Sequence, residues 1–216
     1  MSLTLADTVM AAVHENGVND FLAAFFNARR RHLVYGTPAF VPVTTVAATS
    51  ISAMTFPGVP GGIDILVVFA LPTVDFDPDS SGGTSPLPPG PGQLAIHTKV
   101  ELTVACKRAR DPHGEQTEFA PLSTSLELFA TGMPLVSIFG PGAGEIRFHL
   151  DRLEIVDIKP DSLESVLECL LLMMLRAALS NFRLPFSAMS VGFITLILKN
   201  GPLIENDQIK VFGDVV

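Results

Sequence analysis

Seven consecutive apolar residues, Cys169 to Leu175, lie inside the stretch LESVLECLLLMMLRAALSNFRLP, residues 163–185. No other feature of the chain constrains its fold as strongly. The preceding KPDSLE supplies a helix start, with Asp161 or Ser162 as the cap and Glu164 in the first turn. Pro185 sets the other end, so the helix is predicted to run from 161 to about Phe182. On a helical wheel Asp161, Glu164, Ser165, Glu168, Arg176 and Arg183 share one narrow side. Leu163, Val166, Leu167, Leu170, Leu171, Met174, Ala177 and Ala178 cover about half the circumference, more than the stripe of roughly 100° that a surface helix needs. Such a helix calls for sheet on more than one side, and a strongly curved sheet would provide it.

The rest of the chain reads mainly as strands. Residues 3–13 alternate loosely, as one strand or two short ones. ENGVNDFLAAFFNARRR predicts a helix capped by Asn16 or Asn19, with Val18, Phe21, Leu22, Phe25 and Phe26 on one face and an end near His32. The basic run ARRRH falls at that end, where the helix macrodipole favours cations. VTTVAATSISAMTF and IDILVVFALPTVDF read as strands, the second bent or placed at an edge by its proline. Residues 77–92, DPDSSGGTSPLPPGPG, read as a mobile loop, exposed enough to be the first internal target of a protease. QLAIHTKVELTVACKR and TEFAPLSTSLELFATG predict a hairpin, followed by PLVSIFG and by EIRFHLDRLEIVDI. In the last of these Ile146, Phe148 and Leu150 alternate with Arg147, His149 and Asp151. The chain closes with a strand, an Asn200-Gly201 turn and a second strand. Hairpin-linked strands with two segregated helices indicate an α+β class, and 216 residues suit a single domain over 1–216.

Composition removes several function classes. The net charge of −8 opposes a general affinity for nucleic acid, which needs cations for phosphates. It also opposes charge-driven adsorption to anionic membranes, leaving transient membrane contact at most. Two cysteines form neither a disulfide framework nor a zinc site, and Cys169 reads as packing within the helix. The first residues lack the basic and continuous apolar regions of a signal peptide, and no apolar run reaches about 18 residues, so the expected location is the cytoplasm.

The end of the chain, LRAALSNFRLPFSAMSVGFITLILKNGPLIENDQIKVFGDV, resembles the end of tubular lipid-binding (TULIP) domains: a long helix, a Leu-Pro stretch, then a hairpin. VMAAVHENGVNDFLAAFF is similar to the opening strand and first helix of that superfamily. Bacterial members encoded beside clostridial neurotoxins are among the proteins it resembles. The resemblance implies a highly curved antiparallel sheet wrapped around the long C-terminal helix, an N-terminal helix, and an apolar groove between helix and sheet. It also implies non-enzymatic binding or transfer of lipid or another hydrophobic molecule, with no cofactor.

Catalytic and metal patterns are weak. Asp75, Asp77 and Asp79 have the alternate spacing of a calcium loop, but Ser80 stands where its glycine belongs and Pro86 where its glutamate belongs. The five histidines are scattered; His97 and His149 are on strands and could be neighbours. GPGAGE lacks the lysine of a phosphate loop, and no G-x-S-x-G elbow is present. The candidate ligand-facing residues are Phe21, Phe25, Leu167, Leu171, Met174 and Phe186, with ordinary core packing as the competing role. The alternative to a lipid binder is an interaction or assembly protein of the same fold, with a filled core and either a partner protein or a second copy. A hydrolase whose catalytic set one sequence does not reveal stands third.

Overall fold

The computed structural model describes residues 8–52, 55, 62–76, 86–106, 121–140, 143–156, 161–186, 189–191, 194–205 and 207–215. Strand β1 (Val9–His14) leads directly into helix α1 (Glu15–Ala28). His14, itself extended, caps the helix by accepting the Asn16 N–H on Nδ1 at 3.2 Å. The cap is therefore neither Asn16 nor Asn19: an imidazole nitrogen takes the part usually played by a short side-chain oxygen. Val18, Leu22 and Phe26 bury one face of α1 at helical spacing. The helix stops at Ala28, and a 3-10 turn, Arg30–His32, carries the chain into β2 (Val34–Gly36).

Residues 43–48 do not form the strand expected there. Among the described residues of that segment only β3 (Thr49–Ser50) pairs, in parallel with β2. Pro42 begins a turn in which its carbonyl accepts the Thr45 N–H at 2.9 Å, and this overrides the β-branched composition. Pro72 separates β4 (Ile63–Phe69) from β5 (Thr73–Asp75) as a bend. The long meander comes next, as expected: β6 (Leu94–Cys106), β7 (Leu122–Gly140) and β8 (Ala143–Ile155). Helix α2 (Asp161–Ser180) then leads to β9 (Leu184–Phe186), β10 (Met189–Val191), β11 (Ile194–Glu205) and β12 (Gln208–Val215). Residues 1–7, residues 77–85 of the expected loop and residues 107–120 lie outside the described residues, as do the side chains expected to cap α2.

The larger sheet has the order β3-β2-β4-β6-β7-β8-β9, with β5 also on β6, and it is strongly curled into a half-barrel. A smaller sheet has the order β1-β12-β11-β10. The Asn200-Gly201 turn is a correction. β11 runs through both residues, and the hairpin closes where Glu205 pairs with Gln208, beside Asp207 at φ 58°. Gly201 instead marks a register irregularity, at φ 124° with the Lys210 carbonyl 3.0 Å from where a Cβ would stand. Asn-Gly suits both roles, because each needs a residue free to adopt positive φ.

One irregularity shapes the larger sheet. Gly132 pairs with Leu150 and Thr131 with Arg152, so Asp151 is an extra residue in β8. The buried positions of β8 change phase across it, from Ile146, Phe148 and Leu150 to Leu153 and Ile155. A β-bulge bends its strand and increases local twist. Gly132 faces this bulge, where an added Cβ would lie 2.3 Å from the His149 carbonyl oxygen. Arg176 on α2 binds the bulge from the other side: Nε donates to the Leu150 carbonyl at 2.9 Å and an Nη to that of Asp151 at 3.2 Å. Thus carbonyls at the disrupted ladder bond to the helix.

The core lies between the inner faces of β4, β6, β7 and β8 and the buried sides of α1 and α2. Helix α2 packs chiefly along β8. Its buried face comprises Leu171, Met174, Leu175, Ala178 and Leu179, whereas Val166, Met173 and Ala177 are exposed. This corrects the expected enclosure on more than one side. The apolar arc is wider than the surface covered, and the bonds of Arg176 turn it toward Leu175 and Leu179. Cys169 is exposed on the same outer flank and is not packed. Among the described residues no helix is long and apolar enough to cross a membrane.

Candidate apolar site

Two side chains dock α1 against the sheet. The Asn19 amide pairs with Val74 as a strand would: Nδ2 donates to the Val74 carbonyl and Oδ1 accepts the Val74 N–H, both at 2.8 Å. Glu15 Oε2 accepts the Phe76 N–H at 3.1 Å. With the helix held there, its second half points toward the end of α2.

Phe182, two residues past α2, is the meeting point. It is wholly buried, and the rings of Phe21, Phe25, Phe26 and Phe148 lie 5.6, 5.4, 6.5 and 5.7 Å from its own. The first two pairs are edge-to-face and the others stacked. Phe21 is 43% exposed, so this cluster reaches the surface on one side.

The structure brings Phe21 and Phe25 together through Phe182. Leu167 is half-buried and packs against the same core. Leu171 is 0% and Met174 6% exposed, so both belong to the packed layer beneath. The Phe186 side chain lies outside the described residues. Sequence reasoning missed Phe182, Phe148, Asn19 and Arg176. Phe182 was legible as the last apolar residue before Arg183-Leu184-Pro185; the other three depend on which strand faces which helix.

The titratable groups among the described residues fall in separate places. His97 bonds Glu127 at 2.8 Å and stacks on Phe129, its partner across the ladder. His149 lies opposite Met133, four residues further along β7, so the two histidines are not neighbours. Asp75 is in β5, while Asp77 and Asp79 lie outside the described residues. Glu154, Glu164 and Glu168 place carboxylate oxygens within 4.8 Å of one another. Burial, and then the charges of Glu154 and Glu164, push the Glu168 carboxyl up, against the opposing effect of the Ile155 N–H it accepts at 3.3 Å. All three are half-buried, and the Ile155 N–H is the one hydrogen-bond donor among the described residues that the cluster is seen to accept. His32 is held below its ordinary value by burial first, then by Arg31 and Arg29.

No family model and no curated protein matches the chain. It aligns with a solved structure described as the crystal structure of lipopolysaccharide binding protein, at 14% identity and a TM-score of 0.33. The alignment covers 100% of this chain and 45% of that one, so the chain spans less than half the length of that protein. A likeness at that score identifies neither family nor function.

Proposed function

We propose that this chain is a non-enzymatic binder of lipid or another hydrophobic small molecule, built as a tubular lipid-binding domain. The guest enters at the edge between α1 and the end of α2. Phe21 and Phe25 contact it, Leu167 flanks it, and Leu171 and Met174 form the packed floor. The observation that carries this reading is the aromatic cluster around Phe182, which is buried at its centre and open to solvent at Phe21. A half-exposed ring on a rigid aromatic base offers apolar area at little entropic cost. The curled sheet and two helices are consistent with it.

The test is native mass spectrometry of protein purified from cells, followed by organic extraction. A co-purifying lipid that is lost with Phe21→Ser supports the proposal. Protein that emerges empty and takes up no fluorescent fatty acid overturns it.

A specific observation favours a second reading, an assembly protein with a filled core. Leu171, Leu175, Ala178, Leu179 and Phe182 are all 0% exposed, while Val166 and Met173 project from the outer flank of α2. Empty protein that self-associates through that flank supports this reading instead.

A further inference from the structure

We propose that the end of α1 and the loop after β2 form a docking surface for an anionic lipid bilayer. Between Phe21 and Ser50 the only charged side chains, His32 aside, are Arg29, Arg30 and Arg31. No carboxylate occurs in that stretch, although the whole chain carries −8. Elsewhere Arg147, Arg183, Lys199 and Lys210 each reach a carboxylate. Among the described residues Arg30 and Arg31 meet none.

A helix C-terminus offers an ordinary reason for cations, but its magnitude is too small. The macrodipole contributes about half a negative charge at each helix C-terminus. The nearby end of α2 is also blunted, because Ser180 and Asn181 donate to the Ala177 carbonyl at 2.8 Å. Three guanidinium charges against roughly one negative charge leave about two uncompensated. Carboxylates elsewhere on the molecule are screened beyond about 8–10 Å at physiological salt. The net negative charge that opposes general adsorption therefore does not govern this surface. His32 beside them is held below its ordinary value by burial first, with the charges of Arg31 and Arg29 adding to that effect.

The charges are paired with apolar surface. Val43 is 75% and Val46 86% exposed, in a loop without a charged residue. Arg31 and Val46 both line two adjoining recesses, of about 430 and 370 Å³. Tyr35 and Asn181 line the larger one, and Arg29 and Arg30 the smaller. Guanidinium forks match phosphate geometry. Exposed valines beside them suit the boundary between headgroups and acyl chains. The patch also adjoins the candidate apolar site: the Arg29 guanidinium lies 4.8 Å from the centre of the Phe25 ring, and His32 stacks on that ring at 6.0 Å. A bilayer docked here would face the edge where the hydrophobic guest is proposed to enter, but the docking stands on its own residues.

The test is flotation of the full chain with phosphatidylcholine vesicles made with and without phosphatidylserine. Binding is expected only with phosphatidylserine. Arg30→Gln/Arg31→Gln should weaken it about 25-fold, since each cation near an anionic surface is worth about fivefold. Val43→Ser/Val46→Ser should weaken it at unchanged charge. Lys99→Gln/Arg152→Gln, the same charge change on β6 and β8, should leave it intact, and all three variants should keep the parent melting temperature. Equal binding to both vesicle types, equal loss in the Lys99/Arg152 control, or binding of free inorganic phosphate or RNA without any vesicle binding overturns the proposal.

Discussion

Phe182→Ala removes the ring on which four others converge. Burial makes the expected loss large: a buried Phe cut to Ala costs about 3–5 kcal/mol through lost transfer energy and an incompletely collapsed cavity. Well-oriented aromatic pairs add about 0.5–1.5 kcal/mol each, but here they share one ring and do not sum. The expected loss is therefore near the top of that range, about 4–5 kcal/mol. In a chain of this length each kcal/mol moves the melting temperature by about 2–4 °C, which gives a fall of roughly 8–20 °C. Phe21→Ala is the contrasting variant. Its ring touches Phe182 too, but at 43% exposure it has less to lose, about 1–2 kcal/mol. Urea unfolding monitored by far-ultraviolet circular dichroism gives both values, and fluorescent fatty-acid binding on the same samples reads the guest site. Phe21→Ala should lose binding while remaining folded. A Phe182→Ala loss below about 2 kcal/mol at unchanged m, or equal losses for the two variants, would refute the reasoning.

Burial pushes the phenol of Tyr35 up to about 12, and it is the only tyrosine in a chain without tryptophan, so an ultraviolet titration reads it alone. The neutral form is the one the fold favours, so its contribution is whole below the unfolded value of about 10 and is lost as pH rises toward 12; a midpoint near 10 in folded protein contradicts this. Glu164→Gln removes a like charge beside Glu168, whose carboxyl is raised in the fold. It should raise the melting temperature at neutral pH, with the gain fading as pH falls through the raised folded value of Glu168 and gone below the ordinary 4.5, and a gain that persists in acid argues for another cause. Gly132→Ala forces a methyl group onto the His149 carbonyl and should cost about 3 kcal/mol, a value measurable by urea unfolding; a neutral result would mean that the bulge can shift to make room.

The β6–β8 meander and both helices were legible because each carries a clear period, two in the strands and 3.6 in the helices. Misread positions share a cause: one local pattern fits two structures. Asn200-Gly201 fits a turn and a bulge equally. The 43–48 segment has strand composition, but Pro42 diverts it into a turn. Asp151 shows no signature at all, since one residue added to a strand alters only the phase of the residues after it. The partners that complete the site come from distant segments. Asn19 looks like a helix cap until Val74 is placed beside it, and Arg176 looks like a solvated charge until the bulge exposes carbonyls to it.

The pairing of β1 with β12 sets an order of events for a nascent chain. Val9 lies opposite Gly213, so β1 must wait for nearly the whole sequence before it can find its partner. The β6, β7 and β8 ladders join neighbours and can close early. On a ribosome the half-barrel should therefore form before the small sheet, with β1 and its helix waiting until β12 has been made and can pair with it. Pulsed hydrogen exchange during refolding should show β7 amides protected before those of β1, and simultaneous protection would rule out this order.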